Sequence, residues 1–166
     1  MDLEKVLEAA NKDRKKLTKF LKKLDDIIPP DLGEIVAEED KKVWEQVDCT
    51  VCANCCKTMT PIFTEEDIAR IAAHFNMSPE AFFDQYLEVE ADTGSTVNRI
   101  LPCVFLKDDK CSIYEVRPID CAEFPHHDKR PFDDYNDTFI QNVFRCPATY
   151  ELVKNLKERI ESEYDF

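Results

Sequence analysis

The sequence predicts a mainly α protein with a small β-hairpin, in which helices pack an irregular, cysteine-rich, metal-centred core. Three observations lead there. Glycine occurs only twice, at Gly33 and Gly94, which suits helices better than the tight turns of an all-β chain. Apolar residues recur at spacings of three and four, the period of a helix face. Eight cysteines, four within Cys49-Thr50-Val51-Cys52-Ala53-Asn54-Cys55-Cys56 and the others at Cys103, Cys111, Cys121 and Cys146, follow a pattern that packing does not explain. The 166 residues are one domain's worth. The expected division is a helical extension over 1–46 and a cysteine-cluster domain over 47–166 that includes a C-terminal helix.

Leu3, Leu7, Ala10, Leu17, Leu21 and Leu24 mark one face of an amphipathic helix over about residues 2–25, ended by Ile27-Ile28-Pro29-Pro30. Residues 1–23 hold eight Lys or Arg against four acids, a net +4 that leaves −17 for the rest of a chain of net charge −13. The stripe is expected to dock on the acidic remainder, its lysines solvated or paired there. A second helix is predicted over 34–48, with Trp44 packing. Thr64 before Glu65-Glu66-Asp67 caps a third, and Ser78-Pro79 starts a fourth. Ile68, Ile71, Ala72 and Phe75, then Ala81, Phe82, Tyr86 and Leu87, form their inner faces.

From Val97 the pattern is extended. Two apolar runs around Lys107-Asp108-Asp109 predict the hairpin, with Cys103 and Cys111 on opposite arms. An irregular stretch follows from Glu115 to His127. Cys146-Pro147 opens the last helix, to about residue 163, with Leu152, Leu156 and Ile160 inward.

Two successive C-x2-C spacings let a short segment wrap a metal, because thiolates three residues apart reach one centre from consecutive turns of backbone. Neighbouring side chains usually diverge, so Cys55 and Cys56 are expected to serve two centres, or to be one ligand and one bystander. Four ligands is the usual count for both tetrahedral zinc and an iron-sulfur cluster. One division is Cys49, Cys52, Cys55 and Cys146, with Cys56, Cys103, Cys111 and Cys121 as the second set. Disulfides are the competing reading of an even cysteine count. The start Met1-Asp2-Leu3-Glu4-Lys5 lacks the apolar stretch of a signal peptide, and no run of about 18 apolar residues is present. The expected compartment is therefore the cytoplasm, where thiols stay reduced.

Composition excludes several functions. A Rossmann or P-loop site needs clustered glycines so that backbone amides can approach phosphates. The net charge opposes nonspecific nucleic-acid binding, which requires a positive face, and suits a basic protein or peptide partner. The acidic helix pair over 64–87 is likewise unsuited to DNA. His74 reads as a surface or core residue, and no Ser-His-Asp set stands out. His126 and His127 read as loop residues, or as ligands or proton carriers if they lie near the metal.

The segments CTVCANCC and PCVFLKDDKCSIYEVRPIDCAEFP together resemble the CxxCxxCC proteins, described as a zinc- or iron-chelating domain, also called YkgJ-like, and including flagellin N-methylase. The resemblance covers about residues 47–147 and implies that all eight cysteines are metal ligands. Ala122 departs from it, standing where the family motif carries Arg after the cysteine that follows Arg-Pro, so any anion-binding role of that Arg does not carry over. Tyr114 and Arg117 match motif positions. Structural roles are expected of both, Arg117 bonding carbonyls or screening thiolate charge.

The run Cys49-x2-Cys52-x2-Cys55 favours an iron-sulfur cluster slightly over zinc. Two classes of function follow. One is protein or peptide modification, with S-adenosylmethionine as methyl donor implied by the resemblance to flagellin N-methylase alone. The other is a saturated structural zinc-binding interaction module without catalysis.

Overall fold

The computed structural model describes residues 2–165. In chain order the elements are α1 (Leu3–Leu24), α2 (Leu32–Trp44), α3 (Cys49–Cys52), α4 (Asn54–Thr58), α5 (Glu65–His74), α6 (Pro79–Tyr86), β1 (Leu87–Val89), β2 (Thr96–Asn98), β3 (Leu106–Lys107), β4 (Lys110–Cys111), α7 (Ile119–Glu123), α8 (Asn136–Asn142) and α9 (Pro147–Glu163). The protein is mainly α with two small antiparallel hairpins. It divides into two compact units, residues 1–48 with 125–166, and residues 49–124.

The first unit is helical. Asp2 caps α1 by accepting from the Lys5 amide, with Glu4 in the first turn and Lys22 and Lys23 in the last, each complementing the helix dipole. Ala10, Leu17, Leu21 and Leu24 are buried as their spacing predicts, joined by Phe20. They meet α9, whose Leu152, Val153, Leu156 and Ile160 are also buried, while α2 adds Ile35, Val36 and Val43. The last helix therefore folds with the N-terminal helices, which differs from the boundary expected at residue 46. Each of the three has one apolar face, and together they close a core that a lone N-terminal extension could not form. The second helix ends at Trp44, four residues short of the expectation.

Inside this unit His127 is 4% exposed. Its Nδ1 lies 2.6 Å from Asp40 Oδ1 and its Nε2 3.0 Å from Thr149 Oγ1. Both ring nitrogens are thus occupied within the helical core, next to Phe139 and Trp44. The histidine is buried rather than a surface loop residue. The pair His126-His127 carries no periodic signal that separates these cases in sequence.

The second unit holds the cysteine-rich stretch and a small core of Phe63, Ile71, Ala72, Phe82, Leu87, Phe105 and Ile113. Thr64 and Asp67 form a reciprocal capping box on α5, and Ser78 with Pro79 starts α6, as their residue types predict. β1 pairs with β2, Leu87 opposite Asn98. This hairpin was not legible, because Leu87 continues the apolar face of the preceding helix and three residues are too few to show alternation. The predicted hairpin is β3–β4, turned by Asp108 and Asp109 at φ 48° and 58°, the left-handed geometry that Asp tolerates in a two-residue turn.

Candidate metal centre

Cys49 and Cys52 stand at the two ends of α3, and Cys55 and Cys56 are adjacent on α4. The stretch expected to be a loop is thus two single helical turns. Buried Ala53, at φ 51°, breaks them apart and lets the chain restart at Asn54. Alanine in this left-handed conformation costs about 1 kcal/mol, an outlier placed within the cysteine run. Each helical turn advances about 100° per residue, so Cys55 and Cys56 do not diverge as strand neighbours would; their thiols hydrogen-bond each other.

Three other segments bring thiols to this stretch. The Cys103 amide donates to the Cys56 carbonyl at 2.8 Å. The β3–β4 hairpin sets Cys111 opposite Leu106, and Lys57 on α4 pairs with Asp109 in its turn at 2.6 Å. Cys121 rides on α7, which two carboxylates hold at its start: Asp67 accepts from the Ile119 amide at 3.1 Å, and Asp120 accepts from the Ile62 amide at 2.9 Å. Arg70 bridges Asp67 and the Arg117 carbonyl. Arg117 donates to the Tyr114 carbonyl at 2.6 Å, lies 3.9 Å from the Tyr114 ring centroid, and favours the charged form of Cys111.

Cys56, Cys103, Cys111 and Cys121 form one electrostatic group: charge on Cys56 disfavours ionisation of the other three, and Cys121 is further raised by Cys103 and Cys111. The bond from Cys55 holds Cys56 down to about 7, helped by its own backbone amide and by Lys57. That same bond, with burial, raises the Cys55 thiol far above its ordinary range. Burial raises Cys103, Cys111 and Cys121, and for each the charge of the other thiols adds to it. These four sulfurs oppose one another's ionisation, and a divalent cation among them would relieve that opposition. A thiophilic metal therefore fits the donor set. Among the described residues, no three His, Cys, Asp or Glu side chains already converge on a single ion position, so the group is a thiol cluster rather than a closed coordination shell.

All eight cysteines are free of disulfides. Cys49 is exposed and the other seven are partly buried. Seven lie in the second unit, whereas Cys146 precedes α9 in the helical unit and packs against that unit's core. His74 ends α5 on the surface. Sequence reasoning missed Asp120, which steadies α7, and Asn98, whose amide nitrogen lies 3.3 Å from Cys103 Sγ. A lone Asn five residues before a cysteine carries no recognisable spacing.

The family model CxxCxxCC, described as a "putative zinc- or iron-chelating domain", matches residues 48–143, a span that holds the second unit's seven cysteines and stops short of Cys146. An uncharacterized protein of Methanocaldococcus jannaschii is 31% identical over 87 residues, 47% of this chain and 43% of that protein. The chain thus aligns with less than half the length of that relative. No solved structure matches. Among the described residues, no helix is long and apolar enough to cross a membrane.

Proposed function

The chain belongs to the CxxCxxCC family, a zinc- or iron-chelating class, and from that premise we propose that its cysteine unit is held together by one thiolate-ligated zinc or iron centre with Cys56, Cys103, Cys111 and Cys121 as ligands. What supports this reading is the electrostatic grouping of those four thiols, contributed by α4, the segment before β3, β4 and α7, with the Cys103 amide bonded to the Cys56 carbonyl at 2.8 Å. Cys56 is the first ligand, since the Cys55 thiol and Lys57 already favour its thiolate. The ties Cys103 to Cys56 and Lys57 to Asp109 keep two of the contributing segments against α4.

A closed four-thiolate zinc site supplies folding energy, and an iron-sulfur cluster on the same ligands supplies electron transfer. The chain's own residues do the rest. Arg117 offsets charge beside Cys111, and Asp67 and Asp120 fix the helix that presents Cys121. Cys49, Cys52 and Cys55 keep a three-thiol spacing within the unit but lie outside this ligand set, so the choice between zinc and iron-sulfur at the proposed centre falls to elemental analysis.

The test is elemental analysis with an absorption spectrum, on protein purified without oxygen and without a chelating column, for wild type and Cys56→Ser. The expected result is stoichiometric zinc, or iron with sulfide, in wild type and its loss in the variant. Wild-type protein without metal, or a Cys56→Ser protein that keeps its full complement, would overturn the reading.

A further inference from the structure

We propose that Asn98 is a positioning residue of this centre, its side-chain amide N–H holding Cys103 in place as a ligand. The inference rests on the metal-centre reading above. Asn98 ends β2 and is 3% exposed. Its backbone is pinned from both sides: it stands opposite Leu87 in the β1–β2 register, and the amide of the following Arg99 donates to the Tyr86 carbonyl at 3.0 Å. The side chain reaches across five residues of sequence, and Nδ2 donates to Cys103 Sγ at 3.3 Å.

A second observation concerns the other half of the same carboxamide. Asn98 Oδ1 is buried with no hydrogen-bond partner. A buried carbonyl without a donor costs about 1–3 kcal/mol. The nitrogen-to-sulfur contact suits a sulfur that accepts, as a metal-bound sulfur does. An N–H directed at such a sulfur withdraws charge from it and fixes its direction, the task of hydrogen-bonding partners around a metal. A buried Asn acting as a mere polar anchor would instead be expected to satisfy its oxygen.

The experiment replaces the native metal with Co(II) in the full chain and compares wild type with Asn98→Leu and Asn98→Ala. The probe is the sulfur-to-cobalt charge-transfer band, with affinity measured by chelator competition. Both variants remove the N–H donor, so both are expected to bind cobalt about 10- to 100-fold more weakly and to shift the band to lower energy, because the sulfur donates more readily. Asn98→Ala removes the donor without adding charge or bulk and carries the same readout should Asn98→Leu fail to fold. Weaker binding with an unmoved band would mean a structural role and overturn the proposal, as would wild-type affinity in both variants. A wild-type protein with no thiolate-to-cobalt band defeats the metal centre itself, an outcome distinct from failure at Asn98 alone.

Discussion

The helical unit and the cysteine unit differ in how many apolar residues they bury. Among the described residues, nineteen apolar residues form the buried cluster of the first, mostly along α1, α2 and α9, while seven form that of the second. The surfaces differ in the same sense. The cysteine unit exposes Val51, Ile62, Val89, Ile100, Leu101 and Ile119, whereas the helical unit's exposed large apolar residues are Ile27, Ile28 and Trp44. A unit that buries few apolar residues and leaves many in water lacks much of the usual driving force for folding. In the proposed reading, thiolate-metal bonds are the remaining source. Apparent zinc-binding energies of about 10–16 kcal/mol match or exceed the roughly 5–15 kcal/mol stability of a whole domain.

Removing the metal is accordingly the largest perturbation available. Treatment with a thiol-competing chelator is expected to make residues 49–124 protease-sensitive and fast in amide exchange, while 1–48 and 125–166 keep their protection. Equal loss of protection in both units would erase the contrast. So would a cysteine unit that stays protected without metal, since its seven-residue core would then suffice.

The converse perturbation aims at the helical unit. Leu156 is fully buried where α9 faces its partners, so Leu156→Ala removes buried methyl groups and leaves a cavity at a cost of about 2–5 kcal/mol. The expected outcome is a lower melting transition for residues 1–48 and 125–166, with metal content unchanged. If Leu156→Ala also released metal, the two units would be coupled in a way their separate cores do not suggest.

Legibility in the sequence divides along the same line. In the helical unit the stripe of α1 and the inner face of α9 were readable, because burial there repeats with the helical period. What was not readable is that the two helices, far apart in sequence, share one core: periodicity says that a face is buried but not against what. In the cysteine unit the caps Thr64 and Ser78 and the Asp108-Asp109 turn were readable from local chemistry. Its two single-turn helices were not, because Ala53 in a left-handed conformation is a choice alanine rarely makes and a sequence does not announce. The candidate ligands could be named by residue type. The carboxylates and carboxamide that hold them, Asp67, Asp120 and Asn98, act through contacts 52, 58 and 5 residues apart and have no spacing to recognise.

Asp67 sharpens the comparison at its smallest scale. Burial, at 1% exposure, pushes its carboxyl up, but the Thr64 amide, Arg70 and the Ile119 amide together outweigh this and hold it below the usual carboxylate range. A carboxylate lowered on folding contributes stability that is fully present above its unfolded value of about 3.9 and is lost as pH falls through the lower native value. Asp67→Asn keeps the side chain's shape but removes the charge and one acceptor, and should cost about 1–3 kcal/mol at neutral pH. That deficit should shrink as the solution is acidified below about pH 4, read in denaturant titrations as the difference between wild type and Asp67→Asn at each pH, since acid weakens thiolate-metal binding in both alike. Because Asp67 also holds the start of the helix that carries Cys121, the loss belongs to the cysteine unit, and the exchange rates of residues 1–48 should not move. A deficit independent of pH would mean that Asp67 acts through shape and capping alone. The polar scaffold around the thiols would then hold Cys121 without its charge.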